Sequence, residues 1–300
     1  MARVEFGLIV PDDTLDAAHR HGYMARVSDL LSLVTGRYVS AWCIDHLEGE
    51  LLEGWTSLAY LSALHPDLLW GHSVLCNGFR NPALVAKMSA SLAFMSGGRY
   101  VLGIGTGSQA REHLAYGYEF PRGRVRVTAL DEALTIIRAM WTQERVSFEG
   151  RHYRVMAASC EPKPDPVPPI MIGAFGPKML RLAARHAGWW NVSSTGIKAY
   201  RRYVEEFERA CDEVGRDPAT VRGVWAGGCA CAPNEADVAV LAGGRRVSGE
   251  DFVGTPAQII EQMQPFIELG VDCFLLDCGG FPRLTTVETL IDEVLPVLNR

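Results

Sequence analysis

The 300-residue chain contains no run of 18 or more apolar residues, so no membrane-spanning helix is expected. It has neither a G-x-x-x-x-G-K-S/T loop nor a G-x-S-x-G elbow, which sets aside the P-loop hydrolases and the serine hydrolases built on that turn. Lysine is scarce. Only Lys87, Lys163, Lys178 and Lys198 are present, and none lies inside an apolar strand-like run, where a Schiff-base aldolase would need one. None of the eight cysteines belongs to a C-x-x-C pair, and Cys229-Ala230-Cys231 is spaced too tightly for a zinc knuckle. Cys43, Cys76, Cys229, Cys231, Cys273 and Cys278 lie in or beside apolar runs and read as reduced, buried fillers. Basic charge is also short, with 29 Lys and Arg against 35 Asp and Glu, a net of −6. That balance lacks the electrostatic footprint of a nucleic-acid binder. Met1 to Asp13 reads as a strand running into a Pro-Asp-Asp turn and not as a secretory leader, so the cytoplasm is the expected location.

What is present is core material. The chain is 48% hydrophobic and 21% charged, ample for a buried interior. Short apolar runs alternate with longer amphipathic ones. Strands are expected at 3–10, 38–44, 68–76, 99–105, 169–174, 188–192, 221–230 and 272–278. Helices are expected between them, over 14–34, 56–64, 82–95, 126–141, from about 177, and over 198–214 and 256–269, with a last one at 285–298. Pro82 fits the first turn of its helix, and Thr255-Pro256 reads as an N-cap followed by proline. Two insertions interrupt the alternation: a hairpin at 146–155 after the fourth helix, and 233–253 after the seventh strand. Eight strand–helix units predict parallel pairing and favour a closed barrel over an open sheet. The fold class is therefore α/β, a (β/α)8 TIM barrel occupying 1–300 as one domain.

A barrel places its chemistry at the carboxyl ends of its strands. Asp45 and His46 follow the second strand, and an imidazole in a polar mouth suits proton exchange. The same pair would also serve as a loop cap. Gly103, Gly105 and Gly107 alternate along the end of the fourth strand, leaving one face without side chains for a flat ring or a phosphate to approach. They would equally fill a crowded corner. Gly105-x-Gly107-x-x-Ala110 formally fits a dinucleotide fingerprint, but no acidic strand end follows about 20 residues later. Gly173-Ala174-Phe175-Gly176-Pro177-Lys178 ends a strand and opens a helix with proline, a setting that favours an anion, with Lys178 as a cation, or an ordinary turn. Trp42, four residues before His46, is a candidate wall against a ring. His19 and His21 form an H-x-H pair inside the first helix and face different ways; no metal site is expected.

Three blocks, 71–121, 130–155 and 168–192, resemble the luciferase-like superfamily of flavin- and deazaflavin-dependent oxidoreductases, and within it the coenzyme F420-dependent branch. The resemblance implies an enzyme, usually a homodimer, that holds F420, or alternatively FMN, over the strand ends and acts on a small organic substrate. It implies that Asp45 and His46 are the pair at the reacting face of the ring, with His46 catalytic. Ser73 and Val74 match the bulge behind the ring, where relatives carry a non-prolyl cis peptide, and Asn77 ends the same stretch. Gly105, Thr106, Gly107 and Ser108 match the ring and ribityl side. Gly173, Ala174, Gly176, Pro177 and Lys178 match the phosphate turn, and Ser194 and Thr195 look like polar companions. Some sugar-phosphate dehydrogenases of this branch have a glutamate directly after the glycine run, where this chain has Ser108. An FMN monooxygenase and a non-catalytic flavin-binding relative are the alternatives to an F420 oxidoreductase.

Overall fold

A computed structural model describes residues 4–11, 21–49, 52–243 and 250–299. Parallel strands close on themselves in the order β1 (Glu5–Ile9), β2 (Ser40–Cys43), β3 (Leu69–His72), β5 (Tyr100–Gly105), β8 (Ile170–Gly173), β9 (Trp189–Ser193), β10 (Arg222–Cys231) and β12 (Val271–Cys278), with β12 pairing back to β1. The expected (β/α)8 barrel is the observed fold. The third strand is not the continuous run 68–76 that its hydrophobicity predicts. It breaks at a cis Ser73–Val74 peptide, beyond which the two-residue β4 (Leu75–Cys76) pairs with β5.

Helices pack outside the ring, and their ends follow local chemistry. In α2 (Gly54–Leu64) the Glu53 carboxylate accepts from the N–H groups of Trp55 and Thr56. In α3 (Pro82–Met95) Asn81 accepts from Ala83 N–H at 2.9 Å, with proline in the first turn. In α9 (Pro256–Glu268) Thr255 and Gln258 form a capping box. The first helix, α1, is described over Tyr23–Val34; residues 12–20 of its expected span lie outside the described residues. The inserted hairpin is β6 (Val146–Glu149) with β7 (Arg154–Ala158), its turn held by Glu132, which accepts from the N–H groups of Arg151, His152 and Tyr153. The second insertion supplies α8 (Glu235–Gly243) and β11 (Phe252–Gly254), a parallel strand added to β10 outside the ring.

The barrel interior is filled by Trp42, Val101, Met171, Trp189, Val224, Cys273 and Leu275. Trp42 is therefore core and not a wall of the mouth. It is fully buried, its Nε1 donates to Ser40 Oγ at 2.8 Å, and it packs on Trp189 with ring centroids 5.8 Å apart. Glycine on both neighbouring strands makes the room: a Cβ at Gly71 would stand 2.3 Å from the indole, and one at Gly7 would stand 2.8 Å from its nitrogen.

His72, at the end of β3, is fully buried, stacked 4.8 Å from Trp55, with Nδ1 3.3 Å from the Tyr100 hydroxyl and Nε2 unpartnered. Burial pushes its pKa down from 6.5 to about 4, against the opposing pull of Asp45. The unfolded ring takes up its proton near pH 6.5 and the folded ring only near pH 4, so the unfolded state binds more protons in between. Stability is thus expected to fall as the pH drops from about 6.5 to about 4, by on the order of 3 kcal/mol from this group. Urea unfolding across that window should show a steeper loss in the wild type than in His72→Phe. Parallel pH profiles for the two proteins would refute the assignment.

Candidate active site

The carboxyl ends of β2, β4, β5, β8 and β9 surround a cavity of about 910 Å³. That is the size of a pocket for a cofactor-sized ligand, about 300–1,000 Å³. Asp45 and His46 leave β2 together but do different work. Asp45 Oδ2 accepts from Cys76 N–H and Arg80 Nη1, and Oδ1 accepts from Arg80 Nη2, all at 2.8 Å. Its side chain is wholly shielded, so Asp45, expected to touch a ligand, is engaged by the protein. Arg80 also donates to Glu53 at 2.6 Å, tying the end of β2, the bulge and the start of α2 into one unit. Against the effect of burial, the Asp45 hydrogen bonds hold the guanidinium firmly protonated. Breaking one partner of such a pair would strand the other charge.

His46 is 40% exposed and faces the cavity. Its Nδ1 lies 3.5 Å from Oε1 of Glu112, a nearly buried carboxylate on the short helix α4 (Ala110–Ala115). The same oxygen accepts from Leu47 N–H and from Glu48 N–H, so Glu112 fixes the backbone just beyond His46. A carboxylate facing Nδ1 favours the tautomer protonated there and leaves Nε2 as the ring's exchangeable position. Beside Glu112, His113 Nδ1 donates to Gln109 O at 2.8 Å, and its Nε2 lies 3.4 Å from Cys76 Sγ. Burial pushes the Cys76 thiol up to about 11, so it stays a neutral donor toward that ring nitrogen.

The three glycines of β5 and its exit differ in role. A Cβ at Gly103 would meet the His72 carbonyl at 1.7 Å, so Gly103 serves strand packing. Gly107 has φ +77°, and a Cβ there would stand 2.4 Å from Cys76 Sγ, so the turn admits only glycine. Gly105 opens on the cavity. Its Cβ position is 3.0 Å from Val74 Cγ2, and that of Gly173 is 3.3 Å from the same atom. Val74 and two bare backbones therefore form a flat floor.

Among the expected site residues, Asp45, His46, Ser73, Val74, Gly105, Thr106, Gly107, Ser108, Gly173 and Ser194 line this cavity, and six others do not. Asn77 turns to Tyr153, donating to its hydroxyl at 3.0 Å. Ala174 is fully buried, and its N–H donates to Asn191 O. Thr195 folds back onto Ser193 O at 2.9 Å. Gly176, Pro177 and Lys178 open α6 (Gly176–His186), but the residues of that turn reaching the cavity are Phe175 and Met179; Lys178 is exposed. Arg126 of α5 (Gly123–Thr142) is a cation that lines the cavity. Its guanidinium lies 3.8 Å over the Phe120 ring and donates to Pro121 O, while its Nε is buried without a partner. Arg126, Glu112 and His113 line the cavity without a signal in the sequence, while Asn191 lies at a strand end where chemistry is expected. A six-residue helix offers too short a window for periodicity, so α4 has no readable signal. Among the described residues no three His, Cys, Asp or Glu side chains gather as a metal site.

The residues fit a phosphorylated planar cofactor on their own geometry. The floor at Gly105 and Gly173 is one that a side chain would fill, an orphaned Arg126 Nε belongs to a lining residue, and α6 starts without a side-chain cap. Fold and site together define a parallel barrel with an open mouth at its strand ends, lined by bare glycine backbone and an imidazole. The luciferase-like monooxygenase profile matches residues 36–249, and the chain belongs to that family. It is 35% identical over 192 residues to an F420-dependent hydroxymycolic acid dehydrogenase of Mycobacterium tuberculosis, covering 62% of this chain and 52% of that protein. It is 37% identical over 181 residues to an F420-dependent glucose-6-phosphate dehydrogenase of Microbacterium testaceum, covering 58% and 53%. The chain thus spans about half the length of these relatives. Its fold superimposes on an F420-dependent secondary alcohol dehydrogenase solved with an F420-acetone adduct, with TM-score 0.86 at 19% identity over 99% of this chain and 100% of that one.

Proposed function

We propose that this chain is a coenzyme F420-dependent oxidoreductase acting on a small organic substrate. The observation that carries the reading is the flat floor of Val74, Gly105 and Gly173 with His46 at the same mouth. The F420 dependence of the two relatives at 35% and 37% identity supports the choice of cofactor. When bound, the deazaflavin supplies the site that gains or gives up a hydride. The chain's own contributions are orientation and proton handling. Val74 and the two glycines seat a planar ring. Arg126 and the start of α6 hold a phosphate. Glu112 steadies the loop after His46, and His46 takes or returns a substrate proton at Nε2. Ser108 stands where some relatives carry a carboxylate, and His46, partly exposed, is the lining imidazole to which the reading assigns the proton.

The reading includes a homodimer working in the cytoplasm. Tyr60 and Leu64 of α2 and Leu84, Phe94 and Met95 of α3 are exposed, more large apolar surface than two barrel helices need to show solvent. All eight cysteines are free and buried, in keeping with a reducing compartment. No helix among the described residues is long and apolar enough to cross a membrane.

The direct test is titration of the purified protein with F420 and with FMN, followed by fluorescence quenching. The expected result is saturable quenching by F420 at concentrations at least tenfold below those needed with FMN. Tighter binding of FMN would overturn the cofactor assignment.

A further inference from the structure

Along β9 the side chains alternate between the barrel and the helices. Trp189 joins the interior cluster, Trp190 stacks outward on Tyr200 and Phe207 of α7 (Ile197–Glu213), Asn191 turns back inward, and Val192 joins the outer core. Inward positions of such barrels are commonly filled by branched apolar residues. Here the position above Trp189 holds an amide that is 1% exposed. Ser193 Oγ donates to its Oδ1 at 3.1 Å, which fixes the amide's orientation. Its Nδ2 is closed to water and has no partner within the protein. An orphaned buried donor is rare in a folded chain and asks for an explanation.

The neighbours supply one. Asn191 lies opposite Gly173 in the β8–β9 register, and the Cβ position of Gly173 is 3.9 Å from Asn191 Oδ1 on one side and 3.3 Å from Val74 Cγ2 on the other. The floor therefore runs from Gly105 over Val74 and Gly173 and ends at this amide. A planar ring lying on it would meet apolar surface beneath and the Asn191 amide at its edge.

We propose that Asn191 is a cofactor-positioning residue whose Nδ2 donates to an acceptor atom on the edge of the planar heterocycle seated over Val74, Gly105 and Gly173. The ligand class it fits is a ring with a carbonyl or imine acceptor on its rim, such as a pyrimidinedione. A purely hydrocarbon edge would leave the amide unsatisfied. This rests on the cofactor reading above and adds to it the residue that sets the ring's rotation on its floor.

The test replaces the amide with an apolar group of similar size, Asn191→Leu, with Asn191→Val as a smaller second variant. Two quantities are read on full-length protein: the melting temperature without ligand, and the dissociation constants for F420 and FMN by fluorescence quenching. Removing an orphaned donor should leave the ligand-free melting temperature unchanged or higher, while affinity for whichever of the two the wild type binds falls about 5- to 30-fold. Affinity within twofold of wild type in either folded variant would overturn the proposal. A lower ligand-free melting temperature in both variants with unchanged affinity would make Asn191 a packing residue. Wild-type protein that binds neither ligand would defeat the cofactor reading itself, a result distinct from both.

Discussion

Replacing His46 by alanine is expected to lower turnover about 100- to 10,000-fold while leaving cofactor affinity within about tenfold. His46 lines the cavity with a partly exposed ring, and its Nδ1 faces the nearly buried Glu112. The ring is thus oriented by the protein and open on its other side, the geometry of a group that exchanges protons with a bound molecule. In the proposed reading binding rests instead on the floor and on Arg126, which the substitution does not touch. Glu112→Gln is the companion variant. It keeps an oxygen for the Leu47 and Glu48 N–H groups but removes the charge facing Nδ1, so kcat should fall about tenfold with KM nearly unchanged. Steady-state rates over a range of substrate concentrations give both values, and an unchanged rate in His46→Ala would remove the histidine from the chemistry.

Gly105→Val should weaken cofactor binding by at least about 100-fold without unfolding the protein. The backbone at Gly105 lies outside the left-handed region, so a side chain is conformationally tolerable there. The first added carbon would stand 3.0 Å from Val74 Cγ2, and the branches beyond it would occupy the floor on which a planar ring must lie. Gly103 is the internal contrast. A Cβ at Gly103 would meet the His72 carbonyl at 1.7 Å, so Gly103→Ala should cost about 1–3 kcal/mol of stability through overpacking between two strands. Melting curves and cofactor titrations on both variants separate the two roles. Gly105→Val binding as well as wild type would show that the floor is not the ligand's seat.

The sequence reads differently at different distances. The hairpin expected at 146–155, the proline-led starts of α3 and α9, and the break from strand to helix at 173–177 rest on chemistry within a few residues, and each is legible in the chain. Trp42 was misleading because its environment is set by Gly7 and Gly71 on the adjoining strands, brought against it only by barrel closure. Asp45 beside His46 is legible as a strand-end residue, but its partner Arg80 is 35 positions away. Lys178, at the start of α6, is exposed and does not line the cavity, whereas Arg126, on a different helix, does.

Alternation of apolar strands with amphipathic helices determined the parallel closed barrel by itself, because hydrophobic periodicity and short connections leave few other arrangements. It also placed His46, Ser73, Val74, Gly105 and Gly173 at strand ends. Only the tertiary structure decided which of those ends face one cavity, that Glu112 stands behind His46, and that Asn191 keeps an unpartnered donor at the edge of the floor. Those facts depend on distances between atoms remote along the chain, and burial and hydrogen-bond partnership come into being only when the ring of strands closes.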